Sequence, residues 1–120
     1  MSRKSDFLIP ESEAVKGEMG QLYLAAGKQV SLRLWDEQPT DGNKPVTCRT
    51  YEVAGYVLEG CAILTIENQS VELRAGDSWT VPAGKEHTYE IVERFRAIEA
   101  TSPPARAGRL DCDEHDTGVP

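Results

Sequence analysis

Few residues in this 120-residue chain can carry acid–base or metal chemistry. The sequence contains two histidines, His87 and His115, and three cysteines at irregular spacings. A neutral imidazole can act as a general base or bind a metal, and thiolate and carboxylate groups are also metal ligands. The candidate metal ligands by chemistry are therefore His87, Cys48 and Glu52. Cys112 and His115 form a C-x2-H pair, which is half of a zinc site at best.

The most informative local segment ends at His87. Residues 76–87 read GDSWTVPAGKEH, and several of these residues have a clear mechanical role. Gly76 permits a tight turn into a strand, and Pro82 ends that strand because it cannot donate to a β-ladder. Gly84 then reverses the chain. His87 begins the next strand, with its ring able to face inward.

Short strand-like runs must position these groups. Residues typical of strands recur at 21–25, 29–35, 47–59, 61–67, 71–73, 78–81, 87–92 and 95–101. Turn-forming residues separate the runs, including Gly60 and the pair at 93–94, and residues 37–45 are predicted as a loop. No apolar stripe at helical spacing lasts for three turns. The pattern predicts an all-β sandwich or barrel.

The run at 29–35 shows the clearest alternation. Apolar Val30, Leu32 and Leu34 alternate with polar Ser31 and Arg33. A period of two is typical of a strand with one buried face. We therefore expect the three apolar side chains to face the core and the two polar ones to face solvent.

Length and charge bound the class of protein. A mass of 13.2 kDa fits one domain, which we divide into an N-terminal arm (1–20), a barrel (21–104) and an acidic tail (105–120). The net charge of −7 disfavours nucleic-acid binding. No apolar run is long enough for a membrane span, and the N-terminus lacks a signal peptide's apolar stretch. Three cysteines without a CxxC pair indicate reduced thiols. We expect a cytoplasmic protein with no nucleic-acid or membrane partner.

The spacing G-x5-P-x-G-x2-H in residues 76–87 resembles the second conserved motif of the cupin superfamily. Residues 56–60 (YVLEG) resemble the strand and turn that end the first cupin motif, and 15 residues separate Gly60 from Gly76. The resemblance spans residues 47–101. It implies a small jelly-roll barrel, the double-stranded β-helix.

The resemblance also implies a metal site of three histidines and one carboxylate, and this chain departs from that pattern. The two histidine slots of the first motif fall on Thr47 and Arg49, and the acid slot falls on Val53. A frame one residue longer places Val46 and Cys48 in the histidine slots instead. No frame supplies a histidine to the first motif, so we predict no metal and no cofactor.

Strand parity decides which neighbouring residues face the barrel. Arg49 and Tyr51 share the inward face with the ligand slots, whereas Glu52 points outward unless a β-bulge turns it inward. A guanidinium in a histidine slot opposes a divalent metal and favours a carboxylate or phosphate. The predicted ligand-binding residues are His87, Arg49, Tyr51, Glu52 and Thr47, and the predicted partner is a small anionic molecule. An internal ion pair between Arg49 and Glu52 is the structural alternative.

Other functions stay open at this stage. A metal-independent isomerase or epimerase would use His87 as its general base, with Arg49 stabilising an oxyanion. A metal-dependent dioxygenase would need an atypical site around His87. The resemblance also implies a homodimer formed through sheet edges, in which the N-terminal arm is a candidate exchanged strand.

Overall fold

The computed structural model of the protein describes residues 7–105. In this range a short 3-10 turn (Glu11–Glu13) precedes seven strands. The strands are β1 (Val15–Lys16), β2 (Leu22–Ala26), β3 (Ser31–Glu37), β4 (Glu52–Ile66), β5 (Gln69–Arg74), β6 (Ser78–Val81) and β7 (His87–Ser102). No helix in this range is long and apolar enough to cross a membrane. The predicted tail beyond Ala105 lies outside the described residues.

Two long strands, β4 and β7, organise the barrel. The sheet has the antiparallel order β1-β2-β3-β7-β4-β5, and β6 pairs with the first half of β4. β4 and β7 pair with each other from Glu52↔Ser102 to Ile66↔His87. The second half of β4 also pairs with β5, and the second half of β7 pairs with β3. The result is the predicted all-β jelly-roll barrel.

The turns predicted at Gly60 and at Glu93–Arg94 are wrong, because both lie inside the long strands. The register between β4 and β7 shifts repeatedly between Val57 and Ala62, which marks a bulge. Gly60 has φ +89°, and a Cβ built there would lie 1.8 Å from the Arg94 carbonyl oxygen. Turn-forming residues that face each other across a ladder therefore bend these strands instead of ending them.

The predicted orientation in the 29–35 run is wrong for four of the five residues that it assigned, and Leu34 alone among them is buried as expected. Ser31 and Arg33 are buried, whereas Val30 and Leu32 are exposed. The barrel interior next to β3 is polar and hydrogen-bonded: Ser31 Oγ lies 2.7 Å from Thr101 Oγ1 on the paired strand β7. Buried polar groups are favourable when they find partners, and the interior of this barrel supplies them.

The apolar core overlaps the lining of the barrel cavity. It comprises Tyr51, Val53, Val57, Ala62, Leu64, Leu73, Trp79, Val81, Ile91, Phe95, Ala97 and Ala105. Trp79 on β6 covers Gly55 on β4, where a built Cβ would lie 2.4 Å from the indole ring. Trp79, Ile91 and Phe95 belong both to the core and to the cavity wall.

The cysteines differ from one another. Cys61 is a free thiol in the core-facing part of β4 and is almost fully buried. Cys48 is disulfide-bonded, so the expectation of reduced thiols is wrong at this residue. Cys112 lies outside the described residues.

The bulge at Gly60 gives a stability prediction with an internal control. Gly42 also has positive φ, but a Cβ built there meets nothing within 4 Å. Gly42→Ala should therefore lower the free energy of unfolding only by the cost of a left-handed backbone at alanine, about 1–2 kcal/mol. Gly60→Ala should lower the free energy of unfolding by the same amount and by a further ~1–3 kcal/mol, because the new Cβ overlaps the Arg94 carbonyl. Urea unfolding measures the stability of both variants. Equal decreases in the free energy of unfolding would contradict the bulge geometry.

Candidate functional site

A cavity of about 710 Å³ opens inside the barrel, a size that suits a small-molecule ligand. Residues 15–19, which precede β2, form part of its wall. Gln21 holds this segment, because its side-chain Oε1 accepts from Met19 N (3.0 Å) and its carbonyl accepts from Gly17 N (2.7 Å). The segment predicted as a loose arm thus contributes β1 and one side of the cavity.

The cavity lining is polar, charged and aromatic. Its cationic side chains are Lys16, Arg33, Lys44 and Arg49, and its carboxylates are Glu18, Glu37 and Glu99. Its rings are Tyr23, Trp35, Tyr51, Trp79, His87, Tyr89 and Phe95.

A buried ion pair lies in the wall between β3 and β7. Arg33 and Glu99 are direct partners in the β3–β7 register, and Arg33 Nε donates to Glu99 Oε1 at 2.7 Å. The indole N–H of Trp35 donates to the same oxygen at 2.8 Å. The guanidinium carbon lies 5.0 Å from the centroid of Trp35 and 5.3 Å from that of Tyr51. Burial alone would lower the pKa of Arg33, but Glu99 and Tyr51 raise it, so the cation persists.

A loop that runs beside β7 places more polar groups at the cavity. Lys44 N donates to the Tyr89 carbonyl at 2.7 Å, and Thr47 and His87 exchange two backbone hydrogen bonds of 2.8 and 2.9 Å. The Lys44 ammonium pairs with Glu37 Oε1 at 2.6 Å. Backbone pairing therefore positions Lys44 and Thr47, although residues 38–50 form no regular strand.

His87 is held as a neutral imidazole with one defined tautomer. Its Nδ1 lies 3.0 Å from the Lys85 carbonyl oxygen, which can only accept, so Nδ1 carries the proton. Its Nε2 is then the acceptor and lies 3.3 Å from Thr47 Oγ1. Burial lowers the pKa of His87, and the charges of Arg49 and Arg33 lower it further. Thr47 Oγ1 is the donor of the long hydrogen bond to Nε2, and a ligand group that displaces it can give a proton or a hydrogen bond to neutral Nε2.

The structure brings together four of the five residues predicted to bind a ligand. Thr47, Arg49, Tyr51 and His87 all line the cavity. Glu52 is exposed and is not part of the lining. The β4–β7 register is continuous from Glu52 to Val57, so no bulge turns the Glu52 side chain inward.

Sequence reasoning missed the polar wall formed by Arg33, Trp35, Lys44, Tyr89 and Glu99. Arg33 lies in an alternating strand, where its polarity suggested a solvent-facing position. The one signal in the sequence that could have predicted this wall is the opposite charge of Arg33 in one strand and Glu99 in another. Only the strand register shows that these two residues face each other.

Comparison with known proteins identifies the family. The family model for the cupin domain matches residues 34–99, more than half of the chain. The protein therefore belongs to the cupin family. No curated protein matches the sequence significantly.

Several solved structures share the fold. An RmlC-like cupin from Shewanella frigidimarina is 20% identical, with a TM-score of 0.71 over 85% of this chain and 94% of its own. KdgF from Halomonas sp. is 18% identical, with a TM-score of 0.68 over 86% and 96%. EutQ from Clostridium difficile is 16% identical, with a TM-score of 0.62 over 80% and 74%. At these identities the likeness establishes the fold alone.

The donor set of this cavity does not fit the metal that the cupin resemblance implies. Between residues 7 and 105, no three His, Cys, Asp or Glu side chains are grouped so that they could hold a metal ion. His87 is the single imidazole of the lining, and Arg49 and Thr47 stand in the histidine slots. A permanent cation beside one imidazole favours an organic anion over a divalent metal.

The lowered pKa of His87 predicts a pH-dependent stability. The unfolded chain binds a proton at this residue near its ordinary pKa of 6.5, whereas the folded protein binds it only at lower pH. Stability should therefore fall as the pH drops below about 6.5, toward the folded-state pKa. Urea unfolding from pH 7.5 to 5.5 should show a weaker pH dependence in His87→Gln than in the wild type.

Lys28→Gln is the control, since it changes an exposed side chain that is not part of the cavity lining. It should retain the wild-type pH dependence. If His87→Gln and the wild type lose stability equally over this pH range, the account of His87 is wrong.

Proposed function

We propose that this cupin binds a small anionic molecule, a carboxylate or a phosphate, in the barrel cavity beside Arg49. The observation that carries the proposal is the presence of two guanidinium groups on one partly enclosed cavity. Arg49 and Arg33 both line it, and the charges of both act on His87. Positive potential inside a partly enclosed site attracts an anion more strongly than the same charges would in water.

The charge distribution over the molecule supports the same class of ligand. The cavity lining has four cationic side chains and three carboxylates, whereas the whole chain carries a net charge of −7. The cavity is therefore more positive than the rest of the protein. Acidic surroundings repel large polyanions, so the site favours small anions that enter the barrel.

Hydrogen-bond donors near Arg49 suit an anion's oxygens. Tyr51 carries a hydroxyl group on the cavity wall, and the Thr47 hydroxyl can donate to an anion once a ligand donor replaces it at His87 Nε2. Neutral His87 has an acceptor at Nε2. It can therefore accept from a hydroxyl or an acidic C–H of the ligand, but it cannot donate from Nε2 to the ligand's anionic oxygens. The proposed roles are thus divided: Arg49, Tyr51 and Thr47 for the anion, and His87 for the remainder of the ligand.

Replacement of Arg49 tests the proposal. A thermal-shift screen of small carboxylates and phosphates should identify binders, and calorimetry should then give their dissociation constants. Arg49→Gln should weaken binding by at least about tenfold, because a hydrogen bond to a charged group contributes about 1.5–3 kcal/mol.

The matched control is Arg74→Gln, which neutralises an exposed arginine on β5 paired with Glu72. It should leave the affinity unchanged. The proposal is contradicted if no anion binds, or if both arginine variants bind as tightly as the wild type.

A second candidate function, a metal-independent isomerase or epimerase, is favoured by the tautomer of His87. An unprotonated Nε2 on the cavity side can remove a proton from a carbon next to a carbonyl, and a nearby guanidinium can stabilise the enolate oxygen. An isomerisation is complete when His87 returns the proton to a different carbon of the enolate, and an epimerisation is complete when a proton reaches the same carbon on its opposite face. This candidate uses the same ligand-binding cavity.

Hydrogen exchange separates the enzyme from the binding module. A substrate incubated with the protein in deuterium oxide should exchange the hydrogen next to its carbonyl, which NMR detects. His87→Gln should abolish exchange while the substrate still binds. Binding without exchange in the wild type would exclude His87 as a base for that compound and support a binding role.

A further inference from the structure

The carboxylate of Glu99 has an unused capacity to accept hydrogen bonds. The residue is 4% exposed and lines the cavity. Arg33 Nε and Trp35 Nε1 both donate to it, and both of these hydrogen bonds from the described residues end on Oε1. A carboxylate offers roughly four acceptor positions on its two oxygens. Oε2 is therefore the oxygen available to a ligand in the cavity.

A ligand group that meets Oε2 must be a donor, and the neighbouring charges decide which kind. Arg33 already balances the charge of Glu99 at 2.7 Å, and Arg49 adds a second cation to the same cavity. An ammonium group would meet the guanidinium of Arg33 beside Glu99 and a second guanidinium, Arg49, in the same cavity. A hydroxyl group donates without a charge and avoids that repulsion.

The surrounding walls suit a hydroxylated carbon chain. Trp35 and Tyr51 flank the ion pair, and Tyr89 and Trp79 lie on the same cavity. Their faces can cover C–H groups while the polar residues contact oxygens, which is the usual composition of a small-molecule site.

We propose that Glu99 Oε2 accepts a hydrogen bond from a hydroxyl group of the anionic ligand, so that the site selects hydroxylated anions over their deoxy analogues. This inference rests on the proposed anion binding at Arg49 and names the chemical class of its ligand. Glu99 is then a specificity-determining residue of the cavity that Arg49 also lines.

Three probes of similar chain length test the inference by calorimetry: gluconate, hexanoate and sorbitol. Gluconate has both the carboxylate and the hydroxyl groups, hexanoate lacks the hydroxyl groups, and sorbitol lacks the carboxylate. The wild type should bind gluconate at least about tenfold more tightly than hexanoate, and sorbitol more weakly than gluconate.

Glu99→Gln should reduce the preference for gluconate over hexanoate to within about threefold, because Arg33 and Trp35 hold the amide oxygen in the place of Oε1 and the uncharged NH2 group, a donor, replaces Oε2. Affinity for hexanoate should not fall, because this substitution also removes a negative charge from the cavity. Glu72→Gln, at an exposed carboxylate paired with Arg74, is the matched control and should keep the wild-type preference.

The outcomes distinguish the two proposals. Equal binding of gluconate and hexanoate by the wild type, or an unchanged preference in a folded Glu99→Gln variant, overturns the role of Glu99 alone. Failure of every anion to bind overturns both proposals. If Glu99→Gln does not fold, the wild-type comparison of gluconate with hexanoate decides.

Discussion

The buried ion pair between Arg33 and Glu99 constrains the arrangement of the side chains in the β3–β7 wall of the cavity. Both residues are almost inaccessible to solvent, and removal of one partner from such a pair typically costs about 3–5 kcal/mol. The pair fixes the register of β3 against β7 and directs the polar face of β3 into the barrel. Trp35 and Tyr51 pack around the guanidinium, so the ion pair also places the aromatic wall.

The paired bulge at Gly60 connects the fold to the site. It bends β4 and β7, which allows each long strand to contribute to two layers of the barrel. His87 at the start of β7 and Glu99 near its end consequently face one cavity, although a straight strand would hold them far apart. A glycine outside the cavity lining therefore determines which groups face the cavity.

Sequence reasoning predicts the jelly-roll fold from motif spacing, which is a local property. It also places Arg49, Tyr51 and His87 on the cavity side, although strand parity does not explain Arg49, because residues 38–50 form no regular strand. It failed where the answer depends on partners distant in the chain. Arg33 was assigned to the solvent face, since nothing local shows that Glu99 lies opposite. Gly60 was assigned to a turn, since a bulge and a turn share the same residue preference.

The central claim, that the cavity holds an anion, can be tested through the two tryptophans of the chain. Both Trp35 and Trp79 line the cavity, and their indole N–H groups donate to Glu99 and Tyr89. In the ¹⁵N-labelled protein, titration with phosphate and a panel of small carboxylates should shift both indole resonances along saturable curves with one dissociation constant. Indole resonances that stay fixed for every anion would contradict the account.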